Sequence, residues 1–155
     1  MGKGFFDFFK SSGDFTMDKV AKLDNSFTSS TDKYTRSIYK NFEGHPEGTT
    51  ISSGGTTSYN SFAGNPEGYA SKQGDSTTYK SFTGEPEGYA SRNGNTQTFQ
   101  TFTGFPVGSA ETNGNTTIYR KYTGEVIGTA EETGNRIVYK DFLGYKIGER
   151  EINKN

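Results

Sequence analysis

Apolar side chains in this chain recur every 20 residues against a polar background, in the pattern Tyr-x-x-Phe-x-Gly-x-Pro-Glu-Gly-x-Ala-x-x-x-Gly. The first ring falls at Tyr39, Tyr59, Tyr79, Phe99, Tyr119 and Tyr139, and the second at Phe42, Phe62, Phe82, Phe102, Tyr122 and Phe142, giving six copies without an insertion. Glycines keep the same register, from Gly44, Gly48 and Gly54 onward. Within one copy, Thr77–Thr83 is rich in β-branched and aromatic residues and predicts a strand. Gly84-Glu85-Pro86-Glu87-Gly88 then predicts a reversal, because Pro fixes φ and the glycines accept positive φ. A second short strand follows over Tyr89–Arg92, closed by Asn93-Gly94, a dipeptide suited to a type I′ turn.

Two strands and two turns per copy predict an all-β repeat protein over residues 35–155: an elongated antiparallel β-meander of about 12 short strands in six 20-residue repeats. A β-solenoid is the alternative, although stacked coils would place Glu47, Glu67 and Glu87 directly above one another. An open meander would leave exposed strand edges. Tyr79 and Phe82 are an odd number of positions apart, so without a bulge they point to opposite faces. The Thr78 position becomes Ile118 and Val138 later in the chain, which predicts that the Phe face is the better buried and the Tyr face half wet. Tyr59, Tyr79, Phe99, Tyr119 and Tyr139 are accordingly the candidate ligand or partner face. Glu47, Glu67 and Glu87 give way to Val107, Ile127 and Ile147, an aliphatic row that serves either local packing or assembly between copies.

Residues 1–34 do not repeat. Phe5, Phe6, Phe8 and Phe9 cluster there, and residues 14–25 suit a short helix with Phe15, Val20, Leu23 and Phe27 roughly on one side. The segment is expected to cap the array or to dock on a protein partner or a membrane surface through its Phe cluster. Its five acids offset its five lysines, which weakens attraction to anionic lipid.

Composition narrows the chemistry. Only 28% of the 155 residues are apolar, and Phe and Tyr, 13 and 10 in number, supply much of that fraction, so the core is aromatic and thin. The formal net charge of −1 leaves no basic footprint for nucleic acid. Cysteine is absent, which removes disulfides and thiolate chemistry. His45, the single histidine, occupies a turn slot where other copies carry Asn65, Glu85 and Phe105. No nucleophile-base pair, phosphate-binding glycine motif or metal-ligand spacing emerges, so the expectation is a non-enzyme without a cofactor. The start of the sequence lacks a basic, apolar, small-residue secretory pattern, and no apolar run approaches ~18 residues. That composition suits a cytoplasmic protein or a non-classically exported or virion component.

From Tyr39 to Gly148 the Tyr-x-x-Phe-x-Gly-x-x-x-Gly core resembles the hairpin-repeat class that includes MORN repeats. The resemblance implies a ribbon-like meander that scaffolds proteins or touches membranes. In repeat length and paired rings the array is also similar to the choline- and glycan-binding repeats of bacterial surface proteins. The functional expectation is a structural or interaction protein that scaffolds or self-assembles, with a glycan- or polymer-binding module as the alternative.

Overall fold

The computed structural model describes Leu23 and residues 35–154. The repeats form β1 (Thr35–Asn41), β2 (Pro46–Ser53), β3 (Thr56–Ser61), β4 (Pro66–Gln73), β5 (Ser76–Ser81), β6 (Pro86–Asn93), β7 (Thr96–Thr101), β8 (Pro106–Asn113), β9 (Thr116–Lys121), β10 (Val126–Thr133), β11 (Arg136–Asp141) and β12 (Lys146–Lys154). Each strand pairs antiparallel with its neighbours in sequence, as the hairpin pattern predicts. The ladder does not stay open, and it does not coil into a solenoid. β12 returns to β1 and pairs with it from Thr35↔Lys154 to Asn41↔Gly148, closing a barrel of 12 strands. Closure supplies partners to the two rows of backbone groups that an elongated meander would leave exposed, and periodicity alone does not reveal it.

Two kinds of turn alternate around the barrel. At one rim, Gly44 donates its N–H to Asn41 O at 2.9 Å and Asn41 donates to His45 O at 2.9 Å, with Gly44 at φ +87°. This is a type I turn followed by a left-handed glycine. The partner strand carries one extra residue there, so that Tyr39 faces Gly48 while Lys40 faces Pro46. At the other rim, Asn93 pairs with Thr96 and the two-residue loop is Gly94-Asn95, with Gly94 at φ +66°. Glycine therefore takes the first central position, as a type II′ turn requires. The type I′ turn expected on Asn93-Gly94 does not form, because Asn93 remains in β6.

Alternation along the strands sends Tyr39, Tyr59, Tyr79, Phe99, Tyr119 and Tyr139 into the barrel, each no more than 4% exposed. Every ring lies opposite a glycine on one neighbouring strand, as Tyr59 does with Gly68, and a different residue on the other, as Tyr79 does with Ala70. The small residues give the rings room. A Cβ on Gly48 would collide with the Tyr59 hydroxyl and stand 2.7 Å from Asn60 O. Ring centroids lie 5.8 Å apart for Tyr39–Tyr59, 6.4 Å for Tyr39–Tyr139 and 6.3 Å for Tyr79–Phe99, tilted or edge-on, the arrangement aromatic quadrupoles favour. Leu23, the one described residue of the N-terminal 34, is 5% exposed and belongs to this core.

The outer wall is mostly polar, with Ser58, Lys80, Gln100, Arg120 and Glu131 facing out between inward-pointing neighbours. A membrane-spanning barrel carries an apolar belt there. Among the described residues no helix is long and apolar enough to cross a membrane.

Candidate functional site

The second ring of each repeat lies outside the core. Phe42, Phe62, Phe82, Phe102, Tyr122 and Phe142 are 56%, 71%, 63%, 57%, 69% and 67% exposed, all on the rim formed by the longer turns, which we call the crown. The expectation that the Phe face is the better buried is therefore overturned. β5 ends at Ser81, so Phe82 belongs to the turn and strand alternation no longer sets its direction. It holds the second position of a type I turn, whose side chain projects away from the barrel. Phe105, Leu143 and Tyr145, at 69%, 66% and 69% exposed, extend the same rim over the later repeats.

The crown loops are held in place by their own polar residues. Asn41 Oδ1 accepts from the N–H groups of Glu43 and His45 at 3.0 Å each. Asp141 does the same for Leu143 and Tyr145 at 3.0 Å each, and Thr101 Oγ1 accepts from Phe105 N at 3.1 Å. Adjacent hairpins are tied together where Phe62 N donates to Glu47 O at 3.1 Å and Phe102 N to Glu87 O at 3.2 Å. The aromatic side chains thus stand on ordered backbone.

The candidate ligand face of Tyr59, Tyr79, Phe99, Tyr119 and Tyr139 is the lining of the barrel, 0–4% exposed, and offers no outward surface. Burial, reinforced by Tyr39 and then by Glu67 and Glu47, raises the Tyr59 phenol far above its ordinary range, so it stays protonated. Of the candidate assembly strip, Ile127 and Ile147 are buried in the core and Val107 packs against it. The row accordingly serves packing within the chain. Phe5, Phe6, Phe8 and Phe9 lie outside the described residues.

The closing seam carries residues that the repeat does not predict. Arg150 takes the place held by Ala70, Ala90, Ala110 and Ala130, is fully buried, and sets its guanidinium 5.2 Å from the centre of the Tyr39 ring. Outside, Lys40 meets Glu151 at 2.7 Å, and Glu149 meets Lys146 at 2.9 Å and Arg136 at 3.2 Å. The hydrogen bond from Lys146, with the nearby charges of Lys146, Arg136 and Lys40, holds the Glu149 carboxyl below its ordinary value against the opposing effect of burial. Among the described residues no three His, Asp or Glu side chains converge as metal ligands would.

A local signal for the crown is present in the sequence. Asn41, Ser61, Ser81, Thr101 and Asp141 each precede the ring and stand three residues before a glycine, the spacing of a side-chain-capped turn. That spacing places the following aromatic in the turn and off the sheet. No family model matches the chain, and neither the curated proteins nor the solved structures contain a match.

Proposed function

We propose that the protein is a non-catalytic interaction module whose working surface is the aromatic crown. The observation that supports this reading most strongly is the repetition of one exposed aromatic at the same turn position in all six repeats. A monomer's largest apolar patch covers about 300–600 Å². Taking ~200 Å² per side chain, the nine exposed crown residues, distributed around one rim, together present on the order of 1,000 Å². Surface of that extent in water favours association. The small Gly and Ala residues around the inner rings and the capped turns then act as a rigid mount for the contact surface. The reading keeps the interaction and scaffold role expected from the repeat, and moves the working surface from the Tyr row to the Phe row.

The test compares the wild-type chain with Phe62→Ser/Phe82→Ser/Phe102→Ser. Both are examined by sedimentation in buffer and with phosphatidylcholine vesicles, and circular dichroism verifies the fold. The wild type is expected to associate with itself or with the vesicles, and the triple variant to do neither. A wild-type chain that stays inert in both settings would overturn the reading.

A further inference from the structure

We infer that the crown's occupant is a second copy of the same chain, docked crown to crown about a two-fold axis. The inference rests on the crown being the working surface and names its partner. Area is the first argument. A stable complex buries about 800 Å² per partner. The apolar side chains exposed on the crown are of that order, and all of them stand on the one rim that a crown-to-crown contact would bring together.

Charge is the second argument, and it separates a copy of this chain from other partners. Around the barrel, repeats 1–3 form one contiguous half of the crown and repeats 4–6 the other, because strand order follows sequence order. In residues 40–47, 60–67 and 80–87 the first half carries Glu43 and Glu85 in its turns and Glu47, Glu67 and Glu87 at the barrel mouth, in the positions that Val107, Ile127 and Ile147 hold later, against Lys80 and the seam-paired Lys40, a net −3. In residues 120–127 and 140–147 the second half carries Arg120, Lys121, Lys140 and Lys146 against Glu125 and Asp141, a net +2, or +1 when Lys146 is counted with its partner Glu149, and residues 100–107 are uncharged. A two-fold axis along the diameter dividing these halves lays the acidic half of each copy on the basic half of the other. The crown is thus complementary to itself, which an isologous interface demands. Rotated a quarter turn, the axis would bring like charges together, so the charges select one orientation. The acidic half also sets the crown against an anionic bilayer.

The first measurement is the mass of the full chain by light scattering and equilibrium sedimentation. The expected result is twice the monomer mass of 17.0 kDa, with return to 17.0 kDa in Phe62→Ser/Phe82→Ser/Phe102→Ser. Charge exchange tests the orientation. Glu43→Lys/Glu85→Lys makes both halves basic, and Lys121→Glu/Lys140→Glu makes both acidic; the four positions are exposed and stand outside the seam's ion pairs. Each double variant alone is expected to dimerise at least 10-fold more weakly than the wild type, and an equimolar mixture to recover a heterodimer. The inference is overturned by a wild type that remains at 17.0 kDa up to millimolar concentration, by a dimer that survives the triple Ser variant, or by failure of the mixture to recover. A monomer that binds phosphatidylcholine vesicles through its crown overturns the inference and leaves the interaction reading standing.

Discussion

Tyr119 and Tyr122 stand three residues apart in the same repeat, one 0% and the other 69% exposed. The whole barrel is built on that contrast between an inner and an outer ring of aromatics. The inner ring is fixed by strand alternation and by the glycine facing each side chain across the ladder, as Gly128 faces Tyr119. The outer ring is fixed by a turn that removes the residue from the sheet. Identical side-chain chemistry at a constant spacing thus serves stability in one place and leaves a contact surface in the other.

Truncation is the strongest way to break this comparison. Tyr119→Ala removes a fully buried ring from a close-packed layer and is expected to cost ~3–5 kcal/mol, as for other large core aromatics. For a domain of this size that corresponds to a melting temperature lower by roughly 10 °C. Tyr122→Ala, on the crown, is expected to change stability by less than ~0.5 kcal/mol. Thermal unfolding followed by circular dichroism measures both. The comparison is made at a concentration where the chain is monomeric, since a dimer contact would add to the loss at Tyr122; equal losses in the two variants there would mean that the crown packs on something within the chain.

The glycines sharpen the contrast at a smaller scale. Gly48→Ala forces a Cβ onto the Tyr59 hydroxyl and the Asn60 carbonyl, and overpacking of this kind costs ~1–3 kcal/mol. At Gly44 a Cβ meets nothing within 4 Å, so Gly44→Ala is penalised only by its φ of +87°, at about 1 kcal/mol. Urea unfolding of the two variants should therefore rank Gly48→Ala as the more damaging. The reverse order would place the strain of the barrel in its turns and not around its rings.

The repeat made the strands and hairpins legible, because β-branched and aromatic residues between glycine turns recur without interruption from Tyr39 to Gly148. The inner and outer rings are separable in the sequence, yet the sequence pattern points to the opposite burial. Ile118 and Val138, which suggested a buried Phe face, lie on the outer wall, while the small residues that make room for the Tyr rings read as turn punctuation. Closure was not legible, since a ladder of repeats has the same local signals whether its ends meet or not. What distinguishes the closing strand is a set of departures from the repeat: Arg150 where four other copies have Ala, and Glu149 and Glu151 beside basic partners. Those departures acquire meaning only once β12 lies against β1.

The smallest expected effect belongs to the ion pairs outside that seam. Glu149 is held below its ordinary value, 4.5, first by its hydrogen bond from Lys146 and further by the charges of Lys146, Arg136 and Lys40. A carboxyl whose folded value is depressed stabilises the fold above its unfolded value, and that contribution is lost as the pH falls through the folded value. Lys146 and Arg136 are largely exposed, so solvent screening keeps the contribution below ~1 kcal/mol. Glu149→Gln should therefore be slightly less stable than the wild type at neutral pH, and the two should converge as the pH drops below 4.5. Urea midpoints measured from pH 7 downward read this directly. A constant difference across the range would assign the loss to packing at the seam, and would leave the strand ladder and the buried contact of Arg150 with Tyr39 to hold β12 to β1.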